Sequence, residues 1–103
     1  TAIVCYNDQI AIQVMEAIRR SNLKIPGDIS LVGYDDSSLA VATEVKLTTI
    51  KHPKEEMGIR VARMIVDIIN GKVKKPCFVY QPELIIRSSC KVFPKHSWLS
   101  EKR

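Results

Sequence analysis

The strongest constraint on the fold is a pair of short, continuously apolar runs with one helix between them. Ala2-Ile3-Val4-Cys5-Tyr6 is uninterrupted and partly β-branched, and Ile29-Ser30-Leu31-Val32-Gly33-Tyr34 is a second run of the same kind. A continuous run, unlike an alternating one, suits a strand covered on both faces in a parallel sheet. Between the runs, Ile10, Val14, Met15 and Ile18 recur at helical spacing and predict a buried stripe. Asn7 or Asp8 can cap that helix by accepting from its free first-turn N–H groups. Arg19 and Arg20 complement the dipole in its last turn, its end is expected near Asn22, and Pro26-Gly27-Asp28 then turns the chain. Strand, helix and strand form a β-α-β unit whose strands are parallel and whose crossover is right-handed. The fold class is α/β.

Beyond Tyr34 the pattern weakens. Residues 35–47 read as a loop with a short helix, with Leu39, Val41 and Val45 as its apolar contacts. Leu47-Thr48-Thr49-Ile50-Lys51 is a brief strand-like run, and Pro53 suits a helix start because its missing N–H has no intrahelical partner there. Met57, Val61, Met64, Ile65 and Ile68 give the next helix a clean apolar stripe, ended by Asn70-Gly71. Phe78-Val79-Tyr80 and Leu84-Ile85-Ile86 read as two short strands interrupted at Gln81-Pro82. Lys91 to Arg103 reads as a polar, frayed tail. At 103 residues the chain is at most one domain.

Several function classes are disfavoured. The longest uncharged apolar run, Ala2–Tyr6, is far below the ~20 residues that span a bilayer. Because Thr1-Ala2-Ile3 already reads as strand, the chain is expected to begin inside a larger protein. Cys5, Cys77 and Cys90 are odd in number and lack metal-ligand spacing, which fits thiols in a reducing compartment. The net charge of +5 is scattered over helix faces and the tail without a DNA-reading element, so a solvated surface is the expectation. No Gly-rich phosphate loop is present, and no cofactor is expected.

In an open parallel sheet, ligands bind beyond the carboxyl ends of the strands. Asn7 follows the first strand and Asp35-Asp36 follow the second, so these side chains should emerge side by side, strands lying about 4.8 Å apart. An amide beside a carboxylate both donates to and accepts from vicinal hydroxyls, as sugar recognition requires. The plainer alternatives are that Asn7 only caps the helix and Asp35 only starts a turn. Asp35 and Asp36 point to opposite faces of an extended chain and have no third acidic ligand, which argues against a metal or phosphoacceptor pair. His52 and His96 have no nucleophile at recognisable spacing; His96 belongs to the tail. His52 lies between a strand and a helix start, where it is either a functional loop residue or an N-cap or hinge filler.

Four segments, in order, resemble the effector core of LacI/GalR-type transcription repressors: Thr1 to Ala11, Pro26 to Asp36, Leu47 to Ile50, and Pro82 to Ser89. The resemblance covers nearly everything up to Cys90. Within it, Val4-Cys5-Tyr6-Asn7-Asp8, Val45-Lys46-Leu47-Thr48-Thr49 and Lys51-His52-Pro53 look closest to the arabinose-responsive repressors of Gram-positive bacteria, which implies L-arabinose as effector. The resemblance implies a two-lobed, periplasmic-binding-protein-like (type I) core, with residues 1–90 supplying part of the C-terminal lobe and one helix of the N-terminal lobe. It places interlobe crossings near Lys51-His52 and Gln81-Pro82. Asn7 and Asp35 match family positions that hold sugar hydroxyls, and His52 matches a hinge position where the family often carries a polar side chain such as Gln.

The partners implied are a sugar, a second copy of the chain, and operator DNA reached only through an upstream domain absent from this sequence. A cytoplasmic setting, no membrane partner and no catalysis follow from the same likeness. In the parent, the helix after Asn7 and the loop after Asp36 resemble parts of the family's dimer interface. With part of the sheet absent, an exposed edge strand is expected to favour a dimer or swapped assembly. The alternatives are a periplasmic sugar-binding protein of an ABC transporter, separated by a secretory leader in place of a DNA-binding segment, and an α/β enzyme fragment, separated by turnover that depends on Asp35.

Overall fold

Each apolar run becomes a three-residue strand. In a computed structural model that describes residues 1–93, β1 (Ala2–Val4) pairs in parallel with β2 (Ser30–Val32), in the register Ala2 to Ser30, Ile3 to Leu31 and Val4 to Val32. Helix α1 (Asp8–Arg20) connects them. The next approach of the chain adds to the same ladder, since Val32 bridges Thr48 in parallel and the Gly33 N–H donates to the Thr48 carbonyl at 2.9 Å. A 3₁₀ turn at Ser38–Val41 fills the loop where a short helix was expected.

α1 is capped as its sequence dictates. Asn7 is extended, and its side-chain oxygen accepts from the Ile10 N–H at 2.8 Å. The helix ends at Arg20, two residues before the expected Asn22, which itself takes a left-handed φ of 58°. Its buried face matches the expected stripe in part: Ile18 is buried and Val14 and Met15 pack on the core, but Ile10 is 40% exposed, and Asp8 and Ala11 are buried in addition. The core is small, made of Cys5, Ala11, Leu31, Ala40 and Leu47, with Val14, Met15 and Ile25 packed on it.

The expectation that β1 is covered on both faces is corrected. Among the described residues β1 lies at the edge of its sheet with only β2 beside it, and Val4 is 74% exposed. A continuous apolar run reports what the strand can be buried against, and the described residues supply a cover for only part of it.

β3 (Thr49–Lys51) and β4 (Glu83–Ile85) form a separate antiparallel pair, with Lys51 opposite Glu83. Between them runs α2 (Lys54–Ile69), with Pro53 at its N-cap. Its apolar stripe is present in sequence yet no residue of the helix is buried. The Cα radius of gyration is accordingly 19.3 Å, against about 13 Å for a rounded domain of this length. Phe78-Val79-Tyr80, expected as a strand, is not one. Its rings are drawn to α2 instead: the Arg60 guanidinium lies 3.6 Å from the Phe78 ring centre, and Arg60 Nε donates to the Tyr80 hydroxyl at 3.0 Å. Lys91 donates to the Gly27 carbonyl; of the tail expected to fray, the rest from residue 94 onward, His96 included, lies outside the described residues.

Candidate functional site

The two parallel strands deliver their following residues to one end of the sheet. The Cys5 N–H donates to the Val32 carbonyl at 2.8 Å and the Asp8 N–H to the Tyr34 carbonyl at 2.9 Å, so the chain after β1 and the chain after β2 stay adjacent through Asn7 and Asp35. Asp35 and Asp36 then take φ values of 108° and 48°. A side chain makes such a left-handed turn costly, although Asp tolerates it better than most residues. Here the turn is fixed from below, since the Asp35 N–H donates to the Ile50 carbonyl at 2.8 Å.

His52 meets this turn from the end of β3. Its ring stacks on Tyr34 with centroids 5.3 Å apart and planes at 29°. Its Nδ1 lies 3.9 Å from the Asp35 carboxylate, is buried, and has no hydrogen-bond partner among the described residues. Lys54 Nζ, at the start of α2, also lies 3.9 Å from Asp35. Both distances are too long for a direct hydrogen bond, and the Lys54 ammonium attracts the carboxylate across its gap. Asp35, Asp36, Lys51, His52, Lys54 and Ile59 line an open cleft of about 560 Å³, a volume in the usual range for small-molecule sites.

Of the three residues singled out by sequence, Asp35 and His52 therefore share one cleft. Asn7 stands at the same sheet end but is not part of that cleft lining, and its side-chain oxygen is engaged in capping. The amide NH₂ of such a cap remains a donor. Among the described residues no cluster of three or more His, Cys, Asp or Glu side chains is placed to hold a metal. Among the same residues no helix is long and apolar enough to cross a membrane.

Sequence reasoning missed the residues that build this end of the sheet. Asp8 is 1% exposed. Its carboxylate accepts from Thr49 Oγ1 at 2.5 Å, from the Ser37 N–H at 2.7 Å and from Ser37 Oγ at 3.0 Å, tying α1 to the loop and to β3. The signal was available, because Asp8, Ala11, Met15 and Ile18 share one face of α1, and a carboxylate on an apolar face must find partners. Buried Ser89 is a second such residue: its hydroxyl donates to the Leu31 carbonyl at 2.5 Å and accepts from the Thr48 N–H at 2.8 Å. Nothing in its spacing announces that role. Arg87 is a third, donating from Nη2 to Asp36 at 2.6 Å and from Nη1 to the Leu47 carbonyl at 2.9 Å.

Known proteins resemble this chain in sequence and in fold. A family model for the periplasmic binding protein-like domain matches residues 1–90. The chain is 53% identical over 93 residues to the arabinose metabolism transcriptional repressor of Geobacillus stearothermophilus, covering 88% of this chain and 26% of that protein. It is 46% identical over 95 residues to the repressor of the same name from Halalkalibacterium halodurans, covering 86% and 25%. The chain thus spans about a quarter of the length of these curated relatives. Among solved structures, the Lac repressor dimer bound to operator and the anti-inducer ONPF superposes with a TM-score of 0.83 at 32% identity, over 89% of this chain and 32% of that one. The transcriptional regulator CelR in complex with cellobiose does so with a TM-score of 0.80 at 34% identity, over 85% and 27%. A sheet that gathers its ligand-capable residues at one end, in a chain this similar to such regulators, has one reading: the chain belongs to the periplasmic binding protein-like domain family, in the form carried by LacI-type transcription regulators.

Proposed function

We propose that this chain is part of the sugar-sensing core of an arabinose-responsive transcriptional repressor, with Asn7, Asp35 and His52 contacting the sugar. The observation that carries the reading is the Asp35 carboxylate at the sheet end. It makes no side-chain hydrogen bond among the described residues, and it lies 3.9 Å from both His52 and Lys54 on the wall of the cleft. A carboxylate accepts from two vicinal hydroxyls, while His52 Nδ1 and the free amide of Asn7 offer further polar contacts. The relatives at 53% and 46% identity are named for arabinose metabolism, which supports L-arabinose as the effector.

In this reading the sugar bridges two lobes and favours one closure state by binding it more tightly, and the change passes through a homodimer to DNA-binding segments upstream in a cytoplasmic protein. The α1 face and the loop after Asp36 serve the dimer. A groove of about 530 Å³ between them, lined by Ile12, Met15, Leu23 and Val45 with Glu16 and Arg19 alongside, supports that assignment. The chain binds and does not catalyse.

The test is calorimetric titration of L-arabinose into the full-length protein and its Asp35→Ala variant. Leaving buried sugar hydroxyls without their acceptor costs about 1–3 kcal/mol, or roughly 5- to 150-fold in affinity. Operator affinity without sugar should stay at the parent level. An Asp35→Ala variant that binds L-arabinose as tightly as the parent overturns the proposal.

A further inference from the structure

We propose that Arg87 is a positioning residue for effector recognition: through Asp36 it holds the left-handed Asp35–Asp36 turn in the form that presents the Asp35 carboxylate to the cleft. The inference rests on the reading of Asp35 as a sugar contact and adds to it a residue that touches no sugar. Two consecutive non-glycine residues at φ 108° and 48° persist only where their surroundings over-determine them. For Asp35 the fixing contact is its N–H on the Ile50 carbonyl. For Asp36 the backbone contact is weak, a 3.4 Å approach of its N–H to Thr49 Oγ1, and the strong one is the 2.6 Å bond from Arg87 Nη2 to its carboxylate.

Arg87 is itself held at three points. Its backbone N–H donates to Thr48 Oγ1 at 3.0 Å, its Nη1 to the Leu47 carbonyl at 2.9 Å, and β4 fixes the chain just before it by pairing with β3. The guanidinium therefore spans from the backbone of residue 47 to the turn as a rigid fork, a geometry that a lysine cannot copy. Both side chains of the Arg87–Asp36 pair are about four-fifths buried, so solvent screens the pair only in part. Without this tie Asp36 is free to relax to right-handed backbone, and the carboxylate next to it turns away from its place beside His52 and Lys54.

The experiment measures L-arabinose affinity of the full-length protein by calorimetry, with thermal melting recorded without sugar. If releasing the turn leaves about one molecule in ten competent, Arg87→Gln lowers affinity roughly tenfold. Arg87→Lys, which keeps the charge but reaches only one acceptor, recovers part of the loss and serves if Arg87→Gln does not fold. In an Asp36→Gly background, where the acceptor is gone and positive φ carries no steric cost, adding Arg87→Gln should change affinity by less than about twofold. A residue that is merely structural would give the same loss in both backgrounds. The assignment is overturned if Asp35→Ala weakens binding while Arg87→Gln leaves it at the parent value, or if the Arg87→Gln loss persists undiminished in Asp36→Gly. If Asp35→Ala leaves affinity unchanged, the sugar reading fails first and takes this assignment with it.

Discussion

Gly33→Ala tests how the sheet end is held together. A Cβ at this position would lie 2.4 Å from Asp8 Oδ1 and 2.8 Å from Leu47 Cδ2, the first a full ångström inside ordinary contact. Neither neighbour can move away easily. Leu47 is fully buried in the core, and Asp8 Oδ1 holds the 2.5 Å bond from Thr49 while its other oxygen serves Ser37. Overpacking of this kind costs about 1–3 kcal/mol. Displacing Asp8 far enough to make room also sacrifices a charged hydrogen bond, worth about 1.5–3 kcal/mol. The sum, about 2.5–6 kcal/mol, is a large share of the ~5–15 kcal/mol that holds a domain folded. Urea unfolding of the full-length protein, followed by circular dichroism, reads it as a lower midpoint. In an Asp8→Ala background the closest clash disappears, and the added cost of Gly33→Ala should fall to about 1–2 kcal/mol. A Gly33→Ala variant within 1 kcal/mol of the parent, or equal increments in both backgrounds, would refute the argument that Asp8 and Gly33 are fitted to each other.

Ser89→Ala leaves the Leu31 carbonyl and the Thr48 N–H without their shared buried hydroxyl, a loss of about 1–3 kcal/mol visible in the same unfolding assay. Asn7 separates into two roles: Asn7→Ala should lose about 1 kcal/mol of stability with the helix cap, whereas Asn7→Ser restores the cap and should still bind L-arabinose more weakly. Burial pushes the Cys5 thiol up from its usual value, so at pH 8 it stays neutral in the folded protein and should resist alkylation that modifies exposed Cys77 first, as peptide mass mapping would show. The raised value also stabilises the fold below the thiol's unfolded pKa, and that contribution is lost as pH rises through the folded one.

Much of this fold can be read from residue pattern. The runs at 2–6 and 29–34, with a capped helix between, require a parallel β-α-β unit, and the order of strand tips then puts Asn7 and Asp35 at one end. What the pattern cannot show is where polar residues are consumed. Asp8 shows by its place on an apolar helix face only that it needs partners, not that these are Ser37 and Thr49, and no local spacing reveals the bonds of Ser89 to Leu31 and Thr48 or of Arg87 to Asp36. Aromatic residues mislead for a related reason: Phe78 and Tyr80 have strand propensity, but Arg60 offers them a cation and a hydrogen bond on α2, and tertiary contact overrides propensity. The exposed stripe of α2 and the open face of β1 show the converse limit, since a pattern records the surface a segment can bury whether or not a partner is at hand.

The central claim, that the sheet end around Asp35 receives a sugar, is tested most directly by a crystal structure of the full-length protein with L-arabinose. The account predicts sugar hydroxyls within hydrogen-bond reach of the Asp35 carboxylate and the Asn7 amide, with the ring near His52. Arabinose bound elsewhere, with Asp35 facing only water, would contradict it.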